Sequence, residues 1–111
     1  MTANTGTSGA YAAAVIRRRV VVHGRVQGVG FRYSVVAAAR TRGLAGWVRN
    51  REDGAVEAVF EGEPDGVESM VRFSRDGPPG AGVVRLEVSE EEPEGLAGFD
   101  VRDDFRPLSP S

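Results

Sequence analysis

The segment His23–Arg32, HGRVQGVGFR, has the residue types of an anion-binding loop. Its glycines, at positions 24, 28 and 30, allow positive φ angles and leave backbone N–H groups accessible to a ligand. Arg32 follows at the predicted start of a helix, where a cation opposes the helix dipole, so its guanidinium is expected to serve another purpose. These features favour the binding of phosphate or carboxylate. A plain strand-to-helix connection explains the same residues, and neither standard nucleotide-binding loop motif is matched.

The elements that position this loop follow from hydrophobic periodicity and turn residues. Strands are predicted for RRRVVVHG, LAGWVRNR, AVEAVFEG, VVRLEVSEEE and GFDVRD, and helices for FRYSVVAAARTR and PDGVESMVRFSRDG. Asp53-Gly54 predicts a hairpin turn, and Gly43 and Pro64 predict a helix end and a helix start. The order β-α-β-β-α-β with a short final strand predicts an α+β, ferredoxin-like split β-α-β sandwich, with an antiparallel sheet and both helices on one face.

Buried faces are predicted by the spacing of apolar residues. The helical positions expected in the core are Phe31, Val35, Ala38, Ala39, Val67, Met70, Val71 and Ser74. Alternation at Val84, Leu86 and Val88 predicts a half-buried strand.

The 111 residues suffice for one compact domain. We expect a flexible N-terminal extension at residues 1–16, the folded domain at 17–103 and a tail at 104–111. The apolar run YAAAVI is too short for a membrane span and precedes its basic cluster, unlike a signal peptide. We therefore predict a cytoplasmic monomer that does not associate with membranes.

Charge is distributed unevenly along the chain. Residues 1–51 contain nine arginines and no acidic residue, whereas residues 52–111 contain five arginines and all sixteen acidic residues. The basic half indicates either an anionic ligand or a composition bias, since the chain has no lysine. We expect Arg17–Arg19 to be a solvated strand entrance and Glu90–Glu94 a solvated loop. The absence of cysteine excludes disulfides, thiolate nucleophiles and zinc–thiolate sites.

Two segments together resemble the signatures of the acylphosphatase family: VHGRVQGVGFR at residues 22–32 and GWVRNREDGAVEAVFEG at residues 46–62. The resemblance covers the chain from Arg17 to Arg102 and agrees with the fold predicted above. The sequence departs from the family pattern at FDVRDDF, which lacks the tyrosine that often follows the arginine of the last strand.

The resemblance implies hydrolysis of a small-molecule acyl phosphate to a carboxylate and inorganic phosphate, with neither metal nor cofactor. It implies that Arg32 binds the phosphate and that Asn50 holds the water that attacks in line. It also implies a phosphate-binding loop, called the 25–31 loop below, made of Arg25, Val26, Gln27, Gly28, Val29, Gly30 and Phe31.

Several of these residues have purely structural explanations. Asn50 stands where a residue could simply initiate the hairpin. Trp47 is expected to be structural, and His23, the one histidine, to be packed or solvated. Gln27 is expected to hydrogen-bond to backbone and thereby stabilise the loop, and contact with ligand stays open.

Three other functions are compatible with part of the sequence. An RNA-recognition domain needs aromatic residues on its central strands, and these strands supply only Phe60, so no nucleic-acid partner is predicted. A catalytically idle anion sensor on the same fold is disfavoured by the presence of both Arg32 and Asn50. The acylphosphatase-like leading domain of a carbamoyl-transfer hydrogenase-maturation protein is expected to belong to a much larger chain with cysteine pairs.

Overall fold

The computed structural model describes residues 15–102. Most of the predicted extension, and all of the predicted tail at 104–111, lie outside the described residues. Ile16, which the sequence predicts to lie in the extension, is the first residue of the first strand.

Five strands and two helices make up the described part of the chain. The strands are β1 (Ile16–Arg25), β2 (Ala45–Asn50), β3 (Val56–Gly62), β4 (Gly82–Glu91) and β5 (Phe99–Val101). The helices are α1 (Phe31–Thr41) and α2 (Pro64–Asp76). One sheet has the strand order β4-β1-β3-β2-β5, which confirms the predicted ferredoxin-like fold.

The sheet is mixed, because its last strand runs parallel to its neighbour. The β1–β3, β1–β4 and β2–β3 pairs are antiparallel, as predicted, whereas β5 pairs with β2 in parallel. The chain leaves β4 at one edge of the sheet and crosses through residues 92–98 to the other edge, where it enters alongside β2.

The core lies between the helices and one face of the sheet. Side chains alternate along a strand, so Val20 and Val22 of β1 and Val48 of β2 point to the helices. The predicted helical faces are confirmed: the buried residues are Phe31, Val35, Val36 and Ala39 on α1, and Val67, Met70, Val71 and Ser74 on α2. Ala38 is partly buried against the same cluster.

The alternation predicted for β4 is wrong at two of its three positions. His23 pairs with Arg85 and Gly24 pairs with Val83, so Val84 is an extra residue in a β-bulge and is 79% exposed. Val88 lies on this edge strand and is 44% exposed, whereas Leu86 packs against the core.

Neither helix in residues 15–102 is long and apolar enough to span a membrane.

Candidate active site

The register of the three central strands brings the two signature segments to one end of the sheet. Val22 of β1 pairs with Val56 of β3, and Val56 pairs with Asn50 of β2. These residues therefore form one row across the sheet, roughly 5 Å apart from strand to strand. The 25–31 loop leaves β1 from this row, and the β2–β3 hairpin closes beside it.

The 25–31 loop is anchored on one side and accessible on the other. Val26 is 1% exposed and packs in the core. Gly28 and Gly30 have φ angles of 76° and 80°, which residues other than glycine rarely adopt. A Cβ built at either glycine meets no atom within 4 Å, so a ligand can approach the backbone from this side.

The loop ends in a helix start suited to an anion. Gly30 is the N-cap of α1 and has no side chain that could cap the N–H groups of the first turn. The first turn contains no acidic residue and includes Arg32, the second residue of the helix. Phe31 is buried and fixes the start of the helix in the core. The N–H groups at the start of α1 therefore give this helix end a positive potential.

Asn50 is the last residue of β2 and shares its face with Val48, which is fully buried beneath the helices. The side chain of Asn50 is thus directed to the side of the sheet where α1 begins. Its Oδ1 atom is buried. The structure therefore places both predicted catalytic residues, Arg32 and Asn50, at the same end of the helix-covered face.

Gln27 connects the loop to the hairpin. Its Nε2 group donates one hydrogen bond to the carbonyl oxygen of Arg51 and one to that of Ala55, each with a donor–acceptor distance of 2.9 Å. These carbonyls close the hairpin one residue beyond Asn50 and one before Val56. The sequence predicts a hydrogen bond from Gln27 to backbone, which is confirmed, but it gives no sign that the partners lie in the hairpin.

The hairpin has the turn that Asp53-Gly54 predicts. Gly54 has a φ of 91°, and Asp53 Oδ1 accepts a hydrogen bond from the N–H of Ala55. That bond, followed by a hydrogen bond from Arg51, lowers the pKa of Asp53. The main-chain N–H of Arg51 donates to the carbonyl of Ala55 at 2.8 Å and completes the closing pair.

A depression of about 280 Å³ lies against the hairpin and is lined by Arg49, Arg51, Glu52 and Asp53. Its arginines are already paired, Arg49 with Glu57 and Arg51 with Asp53, each at 2.8 Å. The sequence predicts the site at the 25–31 loop and Asn50, beside this hairpin.

Comparison with known proteins agrees with this geometry. The sequence model of the acylphosphatase family matches residues 18–101, which is most of the chain. The chain belongs to the acylphosphatase family.

Individual relatives are close over nearly their whole length. The acylphosphatase of Nostoc sp. is 61% identical over 88 residues, which are 79% of this chain and 87% of that protein. The acylphosphatase of Thermococcus kodakarensis is 55% identical over 86 residues, 78% of this chain and 94% of the relative. The crystal structure of the Bacillus subtilis acylphosphatase is 43% identical, with a TM-score of 0.76, and covers 78% of this chain and 98% of its own. The predicted family and its hydrolase class are thereby confirmed.

Two arginines of the basic half, at the start of β1, are paired with carboxylates of the acidic half. Arg17 donates to Glu61 and to Glu91, at 2.7 Å in each case. Arg19 contacts Glu57 and donates to Glu91 at 2.6 Å. These cross-strand pairs bring arginines of the first half against glutamates of the second half, since β1 lies between β3 and β4.

Two expectations for these charges are wrong in part. Arg17 is only 3% exposed and is not part of a solvated strand entrance. Glu90 and Glu91 belong to β4 and not to a loop. Glu91 pairs with Arg17 and Arg19 and is therefore not a fully solvated side chain. A single-sequence pattern does not reveal such pairs because their members are up to 74 residues apart.

Trp47 is buried against arginine side chains and His23 lies beside a carboxylate; a structural role for both stays a prediction. Trp47 is 7% exposed, and the guanidinium carbons of Arg19, Arg49 and Arg102 lie 5.4, 5.9 and 4.3 Å from its ring centroid. His23 Nε2 lies 2.7 Å from a carboxylate oxygen of Glu87. Among residues 15–102, no group of three or more histidine, cysteine or acidic side chains is arranged to hold a metal ion.

We expect acid stability to depend on the buried Glu61. Burial acts to raise its pKa, but hydrogen bonds from the Glu94 N–H, from Arg17 and from the Leu96 and Gly95 N–H groups outweigh burial and lower the pKa. A carboxyl with a lowered folded-state pKa stabilises the fold fully above its unfolded pKa, about 4.3 for glutamate. This contribution is lost as pH falls through the lower, folded-state pKa.

We expect Glu61→Gln to lower the free energy of unfolding at pH 7 by about 3 kcal/mol, because the charge of Arg17 loses its buried partner. Urea unfolding from pH 7 to pH 3 should show the difference between variant and parent shrinking below the unfolded pKa. The exposed Glu92→Gln is the matched control and should change stability at no pH. A difference for Glu61→Gln that stays constant down to pH 3 would show that its charge is not the stabilising feature.

Proposed function

We propose that this protein is a working acylphosphatase that hydrolyses the carboxyl–phosphate anhydride of small-molecule acyl phosphates. In this proposal Arg32 and the backbone N–H groups of the 25–31 loop bind the phosphate. Asn50 orients the water that attacks the phosphorus in line with the leaving carboxylate. The products are a carboxylate and inorganic phosphate.

The observation that supports the proposal most is the juxtaposition at one end of the sheet. A helix start with a positive potential, an accessible glycine backbone and the carboxamide of Asn50 lie on the same side, and Gln27 ties their two segments together. An anion bound by the N–H groups of α1 would be oriented relative to Asn50 by a rigid frame. Positioning and charge stabilisation are the main requirements of phosphoryl transfer.

The chemistry needs little beyond this. The water oxygen forms a bond to phosphorus while the bond from phosphorus to the acyl oxygen breaks, and the carboxylate leaves with the electron pair. Because a carboxylate is a good leaving group, no general acid has to protonate it. The carboxamide of Asn50 hydrogen-bonds to the water without adding negative charge beside the phosphate. A phosphate oxygen takes the water's proton in our scheme.

The proposal is tested by hydrolysis of benzoyl phosphate with chelator-treated, metal-free protein. We expect saturable turnover that chelation does not reduce and that inorganic phosphate inhibits competitively. Folded protein without turnover would leave the family and fold intact and would favour the idle anion sensor. Turnover that disappears with chelation and returns with a divalent cation would contradict the metal-free mechanism.

We include in this proposal a cytoplasmic monomer with no nucleic-acid partner. Arg17 and Arg19 are paired with glutamates and Trp47 is buried, so none of them provides a surface for bases. Light scattering of the purified protein is expected to give the mass of one chain, 11.8 kDa.

A further inference from the structure

We propose that Gln27 is a positioning residue that couples the 25–31 loop to Asn50, so that bound phosphate and attacking water are held in one frame. The inference rests on the proposed function of this site. It gives Gln27 a role in the rate of the chemical step and not in the binding of phosphate by its side chain.

Both amide N–H groups of the Gln27 side chain bond within the protein. The Nε2 group has two hydrogens, and two carbonyl oxygens accept from it, those of Arg51 and Ala55. Both donors of the side chain are therefore directed into the hairpin and are not available to a phosphate. The contact with ligand that the sequence left open is thus disfavoured for the amide N–H groups.

These hydrogen bonds attach to the hairpin next to Asn50. Arg51 directly follows Asn50, and Ala55 directly precedes Val56, the residue that pairs with Asn50. The bonds therefore hold both strands of the hairpin one position from Asn50. On the loop side, Gln27 stands between the buried Val26 and Gly28, so a displacement of the hairpin would be transmitted to the loop backbone.

The hairpin is also closed by backbone hydrogen bonds that do not involve Gln27. The carbonyl of Arg51 also accepts from the N–H of Gly54, at 3.2 Å, and the carbonyl of Ala55 accepts from the N–H of Arg51, at 2.8 Å. Loss of the glutamine amide would not leave these carbonyls unsatisfied. The amide bonds thus add a link between segments, and their removal should loosen the site while the fold persists.

The test is Gln27→Leu, which keeps the approximate size of the side chain and removes both donors. We expect kcat for benzoyl phosphate to fall by about ten- to a hundredfold, since small misplacements of reacting groups are this costly. The competitive inhibition constant of inorganic phosphate should change by no more than about twofold, because the loop N–H groups and Arg32 are retained.

A double-mutant cycle separates positioning from general destabilisation. If Gln27 acts through Asn50, Gln27→Leu should change kcat by less than about twofold once Asn50 is already alanine. Gln27→Glu, whose carboxylate would face two carbonyl oxygens, should reduce kcat further than leucine does. Thr41→Val removes a side-chain hydrogen bond to backbone at the far end of α1 and is the matched control, with kcat unchanged. All measurements are made well below the thermal unfolding midpoint of each variant.

Each outcome decides the proposal. A raised phosphate inhibition constant with unchanged kcat would show that Gln27 serves phosphate binding and would overturn it. Equal losses from Gln27→Leu in the parent and in the Asn50→Ala background would also overturn it, since the two residues would then act independently. If Asn50→Ala itself has no effect on the parent, the proposed function fails at Asn50, and that failure is distinguishable from an inert Gln27.

Discussion

Replacing Arg32 with alanine is expected to reduce kcat/KM for benzoyl phosphate by about a thousandfold, the scale on which arginine stabilises phosphoryl-transfer transition states. The guanidinium belongs to the second residue of α1. The charge on the phosphoryl oxygens is spread over several atoms during transfer, and a planar guanidinium can contact two of them at once. Inorganic phosphate should also lose most of its inhibitory effect. Steady-state kinetics with phosphate as inhibitor measures both quantities.

Two further variants sharpen this prediction. Arg32→Lys keeps the charge but not the paired donors, so it should recover part of the phosphate binding and little of the rate. Arg42→Ala removes an exposed arginine at the opposite end of the same helix and should leave both quantities unchanged. If Arg42→Ala reduced activity as much as Arg32→Ala, the effect would reflect overall charge rather than a phosphate contact.

The elements of this fold could be predicted because each has a local signal. Gly43 and Pro64 mark a helix end and a helix start, and Asp53-Gly54 marks the hairpin, and all three predictions agree with the structure. Periodicity identified all four buried residues of α2. Signals of this kind depend on neighbours within one or two turns, so a single sequence contains them.

The errors involve interactions between distant segments. The bulge at Val84 depends on how β4 pairs with β1, and no residue type near Val84 indicates a bulge. The glutamates that bury Arg17 come from β3 and β4, so Arg17–Arg19 looked like a solvated entrance when considered alone. Charge patterns along the chain therefore say little until the strand order is known.

The candidate site shows the same division. The glycine-rich loop and Arg32 lie within ten consecutive residues, and their residue types alone predict an anion-binding site. Asn50 could be assigned a role only through the family resemblance, because an asparagine at a hairpin is common for other reasons. The link from Gln27 to the hairpin joins segments 24 and 28 residues apart and became visible only in the structure.

Replacing Asn50 with alanine is expected to lower kcat by about a hundred- to a thousandfold, the usual effect of removing a polar group that acts in the transition state. The inhibition constant for inorganic phosphate should stay near that of the parent, since Arg32 and the loop N–H groups are unchanged. This separation of rate from binding distinguishes Asn50 from Arg32, whose loss should affect both. Initial rates over a range of phosphate concentrations provide the measurement. Glu52→Gln, an exposed substitution in the same hairpin, is the control for local disturbance and should change neither value.

Asn50→Asp distinguishes a water-orienting amide from a general base. An aspartate of the same shape would bring a negative charge close to the phosphate and would repel it, so we expect a loss at least as large as for alanine. The phosphate inhibition constant should also rise, which it does not for Asn50→Ala. An aspartate variant that turned over faster than the parent, with an acidic limb in its pH–rate profile, would show that the position favours proton abstraction. The neutral amide would then not be the feature that the reaction requires, and the role we assign to Asn50 would be wrong.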